Sequence, residues 1–262
     1  ATTPQHLARG RQHLSAADLN IGVVYVVAVA GGGVIGILMA GWASGNKYAL
    51  YGAMRAAAQI VSYEVPASIV LCTVVMIVGS MSLQEIVGSQ AGGIHRWMMF
   101  QYFPFNLLGL MIYFICALAE TNRTPFDIPE AESELVAGFH VEYSGMRFSV
   151  FFMGEYAAVF ATSGIATALF LGGWQSPFPR FLLPGAFGVF EGLCWFMGKV
   201  LFLVFIVMVI RWTVPRFRVD QLMHLCWKVL LPASLFILLG VGTWMALDMG
   251  LVDLLRDAAR RS

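Results

Sequence analysis

No charged residue interrupts the chain between Asp18 and Lys47, and none between Arg96 and Glu120. A hydrocarbon layer about 30 Å thick admits only backbone whose N–H and C=O groups are bonded internally, and an apolar helix of roughly 20 residues meets that demand. Six such spans are predicted, at 19–42, 62–84, 97–119, 148–173, 190–211 and 228–247; the fourth and fifth are each broken by one ionisable residue, Glu155 and Lys199. Charged residues make up 12% of the chain, against about 25% in soluble domains, too few to cover a water-facing surface. The expected fold is all-α, a polytopic transmembrane helix bundle with 1–262 forming a single membrane domain.

Six of the seven tryptophans (Trp42, Trp97, Trp174, Trp212, Trp227, Trp244) fall near the ends of these spans, the layer that amphipathic indoles prefer. Gly31, Gly32, Gly33 and Gly36 in the first span, and Gly188 and Gly192 at the fifth, permit close helix approach. The loops after spans one, three and five carry Lys47, Arg55, Arg123, Arg147, Arg216 and Arg218, whereas those after two and four carry Arg96 and Arg180. The first set is therefore expected to face the cytoplasm or matrix, with the basic terminal tails discounted. Residues 1–17 are polar and show no cleavable signal pattern, as in a chain entered partway through.

A net charge of +1 with no Lys/Arg tract argues against a nucleic-acid partner. Cys72, Cys116, Cys194 and Cys226 are widely spaced, form no CxxC, and have no histidine at ligand spacing. They are expected to be small apolar side chains, and neither a metal nor an iron–sulfur cluster is expected in this chain.

Residues 120–147 read ETNRTPFDIPEAESELVAGFHVEYSGMR and hold six of the chain's fifteen acids, Glu120, Asp127, Glu130, Glu132, Glu134 and Glu142, against two arginines. Asp127 followed by Glu130 has capping-box spacing, with Pro129 in the first turn and Gly138 as a stop, so a short helix is expected over 128–137. Glu130 and Glu134 would share its face. Early acids favour any helix N-terminus, but like charges four residues apart repel. Crowded carboxylates have their protonation pushed toward neutrality, which suits groups that pass protons.

The acids continue into the spans. Glu64 opens the second, Glu120 closes the third and Glu155 lies about two turns inside the fourth. An ionisable group in hydrocarbon costs about 2.5–3.5 kcal/mol or more unless it faces a partner or a polar cavity, so the three are expected to form a polar funnel, with Lys199 pairing with one of them. The Ala-rich stretch after the first span and the segment 212–227 share this membrane face and read as surface-lying docking elements.

The stretch ETNRTPFDIPEAESELVAGFHVEYSGMRFSVFFMGEY (120–156) closely resembles the signature loop of the H subunit, or subunit 1, of respiratory complex I, the proton-pumping NADH:quinone oxidoreductase. The stretch 18–64, opening on DLNIG and closing on AGWASGNKYALYGAMRAAAQIVSYE, and PRFRVDQLMHLCWKVLLP (215–232) carry the same resemblance, which covers nearly the whole chain from Asp18 onward. It implies a multi-pass subunit of a bacterial inner membrane, or the mitochondrial equivalent, within the respiratory electron-transport chain. Such a subunit forms the membrane end of the quinone chamber against the hydrophilic redox arm and beside other membrane-arm subunits. Quinone is the substrate, while NADH, FMN and the iron–sulfur clusters belong to partner subunits. The resemblance further implies that Glu64, Glu120 and Glu155, with Asp127, Glu130, Glu132, Glu134 and Glu142, link quinone reduction to proton movement, that Arg123 and Arg147 balance their charge, and that Asp220 lies on the same side.

Two departures stand out. The family has about eight spans against six here, the difference lying on the N-terminal side with an amphipathic segment and a basic loop of the quinone entrance. A tyrosine frequent before the family's RxDQ aspartate is Val219. Alternative readings are the related membrane subunit of an energy-converting hydrogenase or another ion-pumping redox complex, and a stand-alone ion-coupled transporter, whose internal repeats are not seen here.

Overall fold

The computed structural model describes residues 19–127, 138–140, 142–177 and 187–261, and every regular element among them is helical. Helices α1 (Gly22–Gly31) and α2 (Gly33–Ala43) together make the first span. They are followed by α3 (Lys47–Val78), α4 (Leu83–Ser89), α5 (Phe105–Glu120), α6 (Met146–Phe170), α7 (Phe187–Thr213), α8 (Val219–Leu225) and α9 (Leu231–Arg261). Five helical stretches are long and apolar enough to cross a membrane: Gly22–Ala43, Lys47–Val78, Met146–Phe170, Phe190–Thr213 and Val219–Asp248; α5 is a shorter sixth. The chain is a polytopic helical membrane bundle.

Helix α3 is the axis of the bundle and corrects two sequence expectations. The Ala-rich stretch after the first span is not a surface-lying element; it forms the opening turns of α3. Asn46 caps it, its side-chain oxygen accepting the Tyr48 N–H at 3.1 Å. Strong helix formers follow, and the fully buried Ala49, Ala53 and Ala56 let neighbouring backbone approach closely. The helix ends at Val78 rather than near 84, because Gly79 turns left-handed at φ 73°.

Pro66 lies inside α3 and has no N–H to offer the carbonyl of Ser62. The Cys226 thiol donates to that carbonyl instead, at 3.1 Å. Three residues upstream of Pro66, the Tyr63 hydroxyl donates to the Leu222 carbonyl at 2.9 Å. Both partners belong to α8 and the π-helical turn Cys226–Leu230 that joins it to α9. The last span thus begins at Val219, and 219–227 is part of it rather than a separate surface segment.

The third span is also shorter than predicted. Pro104 cannot continue a helix from upstream, so α5 starts at Phe105 and its 16 residues rise about 24 Å. The residues before it are tied down by buried amides. Gln90 accepts the Met98 N–H at 3.1 Å and donates to the Leu169 carbonyl at 3.1 Å, while Asn106 donates to the Met98 carbonyl at 3.0 Å.

The core runs along α3 and gathers Tyr63, Val70, Val74, Tyr113, Leu169, Phe170, Ile237 and Val241. Outward, Met39, Phe202, Phe205, Leu239 and other large apolar side chains stand exposed, as lipid contact requires. Among the described residues, Lys199 of α7 meets carbonyls rather than a carboxylate. Its ammonium donates to the carbonyls of Leu171, Gly173 and Gln175 at 2.7, 3.0 and 2.7 Å and lies 4.3 Å over the Trp97 ring. The carbonyls of the α6 C-cap and of the loop just beyond it together make a cation site, and it claims Lys199 as a structural pin.

Candidate functional site

The loop leaving α5 is held by one buried side chain. Gln59 of α3 donates to the carbonyls of Ala119 and Phe126, both at 2.8 Å. Between these anchors the chain turns sharply, with Asn122 at φ 49° and the Phe126 N–H bonded back to the Arg123 carbonyl at 2.7 Å. The ring of Phe126 packs between Tyr63 and Phe217, each 5.7 Å away, and the Phe217 N–H donates to the Pro125 carbonyl at 3.2 Å. The loops after the third and fifth spans therefore touch, on the side predicted for both.

This turn drives Arg123 inward, where it is 7% exposed. Its guanidinium stands 3.3 Å from Glu155 Oε2 and 4.4 Å over the Tyr156 ring. The other carboxylate oxygen of Glu155 is 3.7 Å from His140 Nε2. His140 is itself buried among Phe148, Phe151 and Phe152, whose centroids lie 5.7, 5.3 and 6.2 Å from its own. Glu155 is thus a partly buried carboxylate bridging a permanent cation and a titratable ring. The arrangement makes its charge tolerable inside the bundle and gives it a neighbour able to exchange a proton.

Two further carboxylates stand upstream, on the helices. Glu120, the last residue of α5, is partly buried and within the electrostatic reach of Glu64 on α3. Between α5 and α6 runs a narrow, mostly apolar crevice, lined by Phe114, Leu118, Val159 and Val207 among others, into which the hydroxyl-bearing Tyr113, Thr121, Thr162 and Ser163 also face.

The other predicted site residues are placed differently. Glu142 is exposed and accepts a hydrogen bond from the Asn46 side chain at 3.1 Å, while Tyr143 donates to the Ala40 carbonyl at 2.9 Å. These contacts lash the second half of the acidic segment to the end of the first span. Asp127 is half-buried just after the Phe126 turn. Arg147 and Asp220 are exposed in the first turns of α6 and α8, outside the buried cluster. Glu130, Glu132 and Glu134, and the helix expected over 128–137, lie outside the described residues.

Sequence reasoning missed His140 and Gln59. A signal for the first was present: Phe148, Phe151, Phe152 and Glu155 follow at helical spacing and put one aromatic face beneath the only histidine of the acidic segment. Gln59 carried no comparable sign.

Fold and site together define a multi-pass membrane protein whose buried ion network sits where three inter-span loops meet. A family model described as NADH dehydrogenase matches residues 2–242. Similar curated proteins include the H subunit of the NADH-quinone oxidoreductase of Chlorobaculum tepidum, 52% identical over 235 residues, covering 87% of this chain and 65% of that one. Its counterpart in Hyphomonas neptunium is 49% identical over 245 residues, covering 90% and 67%. The chain belongs to the NADH dehydrogenase family. It spans just under two thirds of the length of the Chlorobaculum relative.

Proposed function

We propose that this chain is the membrane subunit of a proton-translocating NADH:quinone oxidoreductase that forms the membrane end of the quinone chamber and couples quinone reduction to proton translocation. The observation that carries the reading is the buried contact set of Arg123, Glu155 and His140, built on the acidic segment of a chain about half identical to proteins named as the H subunit of NADH-quinone oxidoreductase.

Quinone reduction consumes two electrons and two protons, so charge and protons must both be supplied at the chamber. Electrons come from NADH through FMN and iron–sulfur clusters held by hydrophilic partner subunits. This chain contributes carboxylates. Arg123 offsets the charge of Glu155, and His140 stands beside the same carboxylate as a group that can carry a proton. Glu64 and Glu120, two carboxylates within electrostatic reach of each other, extend the acidic path into the bundle. Asp127, Glu130, Glu132, Glu134 and Glu142 extend the acidic lining toward the redox arm, with Arg147 and Asp220 at its rim. The setting is a bacterial inner membrane or its mitochondrial counterpart, in contact with other membrane-arm subunits, lipid and quinone.

The double variant Glu130→Gln/Glu134→Gln tests this in membranes. NADH:quinone reductase activity is expected to fall by at least about tenfold, the scale on which a positioned acid or base contributes, while NADH oxidation by ferricyanide persists. Unchanged quinone turnover contradicts the proposal. Purification of the assembled chain should bring flavin- and cluster-bearing subunits with it.

A further inference from the structure

Glu64 presses its carboxylate against bare backbone. A Cβ placed on Gly31 would lie 2.7 Å from Glu64 Oε1 and 3.4 Å from both its Cδ and Oε2. The neighbouring glycines have no such duty. One on Gly32 would meet only the Val29 carbonyl, and Gly33 and Gly36 have nothing within 4 Å. Gly31 also ends α1, where the helix tightens: the Gly32 N–H bonds the Val29 carbonyl and the Ile35 N–H the Gly32 carbonyl, both at 3.2 Å. The carboxylate therefore lies at the joint between α1 and α2, within electrostatic reach of Glu120.

We propose that Gly31 is a positioning residue for Glu64, its missing side chain forming the slot that holds the carboxylate against the joint of the first span. The inference rests on the proposed coupling role of Glu64. A methyl group at position 31 meets the free end of a flexible side chain rather than a backbone, so the carboxylate moves and the helices stay in place. Assembly is then retained while the Glu64–Glu120 relationship changes.

The test is a cycle in membranes carrying the intact complex: Gly31→Ala, Glu64→Asp, their double variant, and Gly36→Ala as the control for helix composition. Gly31→Ala is expected to lower NADH:quinone reductase by about tenfold, since displacements near 1 Å at a reacting group have effects of that order or larger. Ferricyanide reduction and complex content hold, and Gly36→Ala behaves as the parent. On the Glu64→Asp background, whose side chain is one methylene shorter, Gly31→Ala should cost at most about twofold, a non-additivity that loosened packing would not give. Equal rates in Gly31→Ala and Gly36→Ala overturn the inference, as does full additivity with Glu64→Asp. If Gly31→Ala fails to assemble, the double variant decides: assembly regained with the shorter acid supports the contact, and assembly still lost contradicts it. Glu64→Gln is measured alongside. Parental activity there overturns the coupling role of Glu64 itself, whereas impaired Glu64→Gln with unimpaired Gly31→Ala overturns only the slot.

Discussion

Arg123 and Glu155 meet at 3.3 Å across the gap between the loop leaving α5 and the third turn of α6, and their contact ties the acidic segment to the interior of the bundle. A buried ion pair contributes little over an apolar pair, but removing one partner leaves an uncompensated charge. Arg123→Met should therefore destabilise the chain by about 3–5 kcal/mol, and Arg123→Met/Glu155→Met by clearly less. Thermal inactivation of the solubilised complex, compared across the two singles and the double, checks the order.

Gln59→Leu should loosen the loop it holds without altering the spans. The buried Phe126 carbonyl loses its Gln59 donor, at about 1–3 kcal/mol, while the Ala119 carbonyl keeps the Asn122 N–H at 3.3 Å. Amide hydrogen exchange across 119–127 should speed up markedly, while exchange in the middle of α3 stays as in the parent.

The Cys226 thiol and Pro66 are predicted to be energetically coupled. Cys226→Ala leaves the Ser62 carbonyl without its donor, a loss of about 1 kcal/mol for a weak sulfur donor. Pro66→Ala restores a backbone N–H to that carbonyl, so Cys226→Ala on this background should cost almost nothing. Thermal midpoints of the four proteins in the cycle read the coupling directly.

Lys199→Met separates structure from function. Three carbonyls at the end of α6 lose a charged donor, so stability should fall by about 1–3 kcal/mol. Quinone reductase activity per assembled complex should match the parent, because the ammonium is held by the carbonyls that follow α6 and not by the Arg123–Glu155 cluster.

The spans were legible because hydrocarbon imposes a length and a composition, and α6 and α7 start and stop within a few residues of prediction. The ends of the second and third were not. Gly79 and Pro104 act through backbone geometry, which an average over apolar residues does not register. The Ala-rich 49–61 stretch has the look of a surface helix until α2 is laid against it, since small residues are silent about what they pack on. The acidic segment announced that a site exists, and Glu155 and Arg123 were both singled out. Their pairing was not, because it depends on the turn Gln59 imposes from sixty residues away. Lys199 was read as able to pair with one of the carboxylates, yet the carbonyls of Leu171, Gly173 and Gln175, in the turn that leaves α6, take its ammonium, and nothing in their side chains announces them.

The central claim, that Glu155 and its partners serve quinone-linked proton movement, is most directly tested by Glu155→Gln in membranes, measuring NADH:quinone reductase, NADH:ferricyanide reductase and proton translocation together. Quinone reductase and its accompanying proton translocation are expected to fall by at least about tenfold with ferricyanide reduction retained. Parental quinone turnover and proton translocation in the Gln variant would contradict the account.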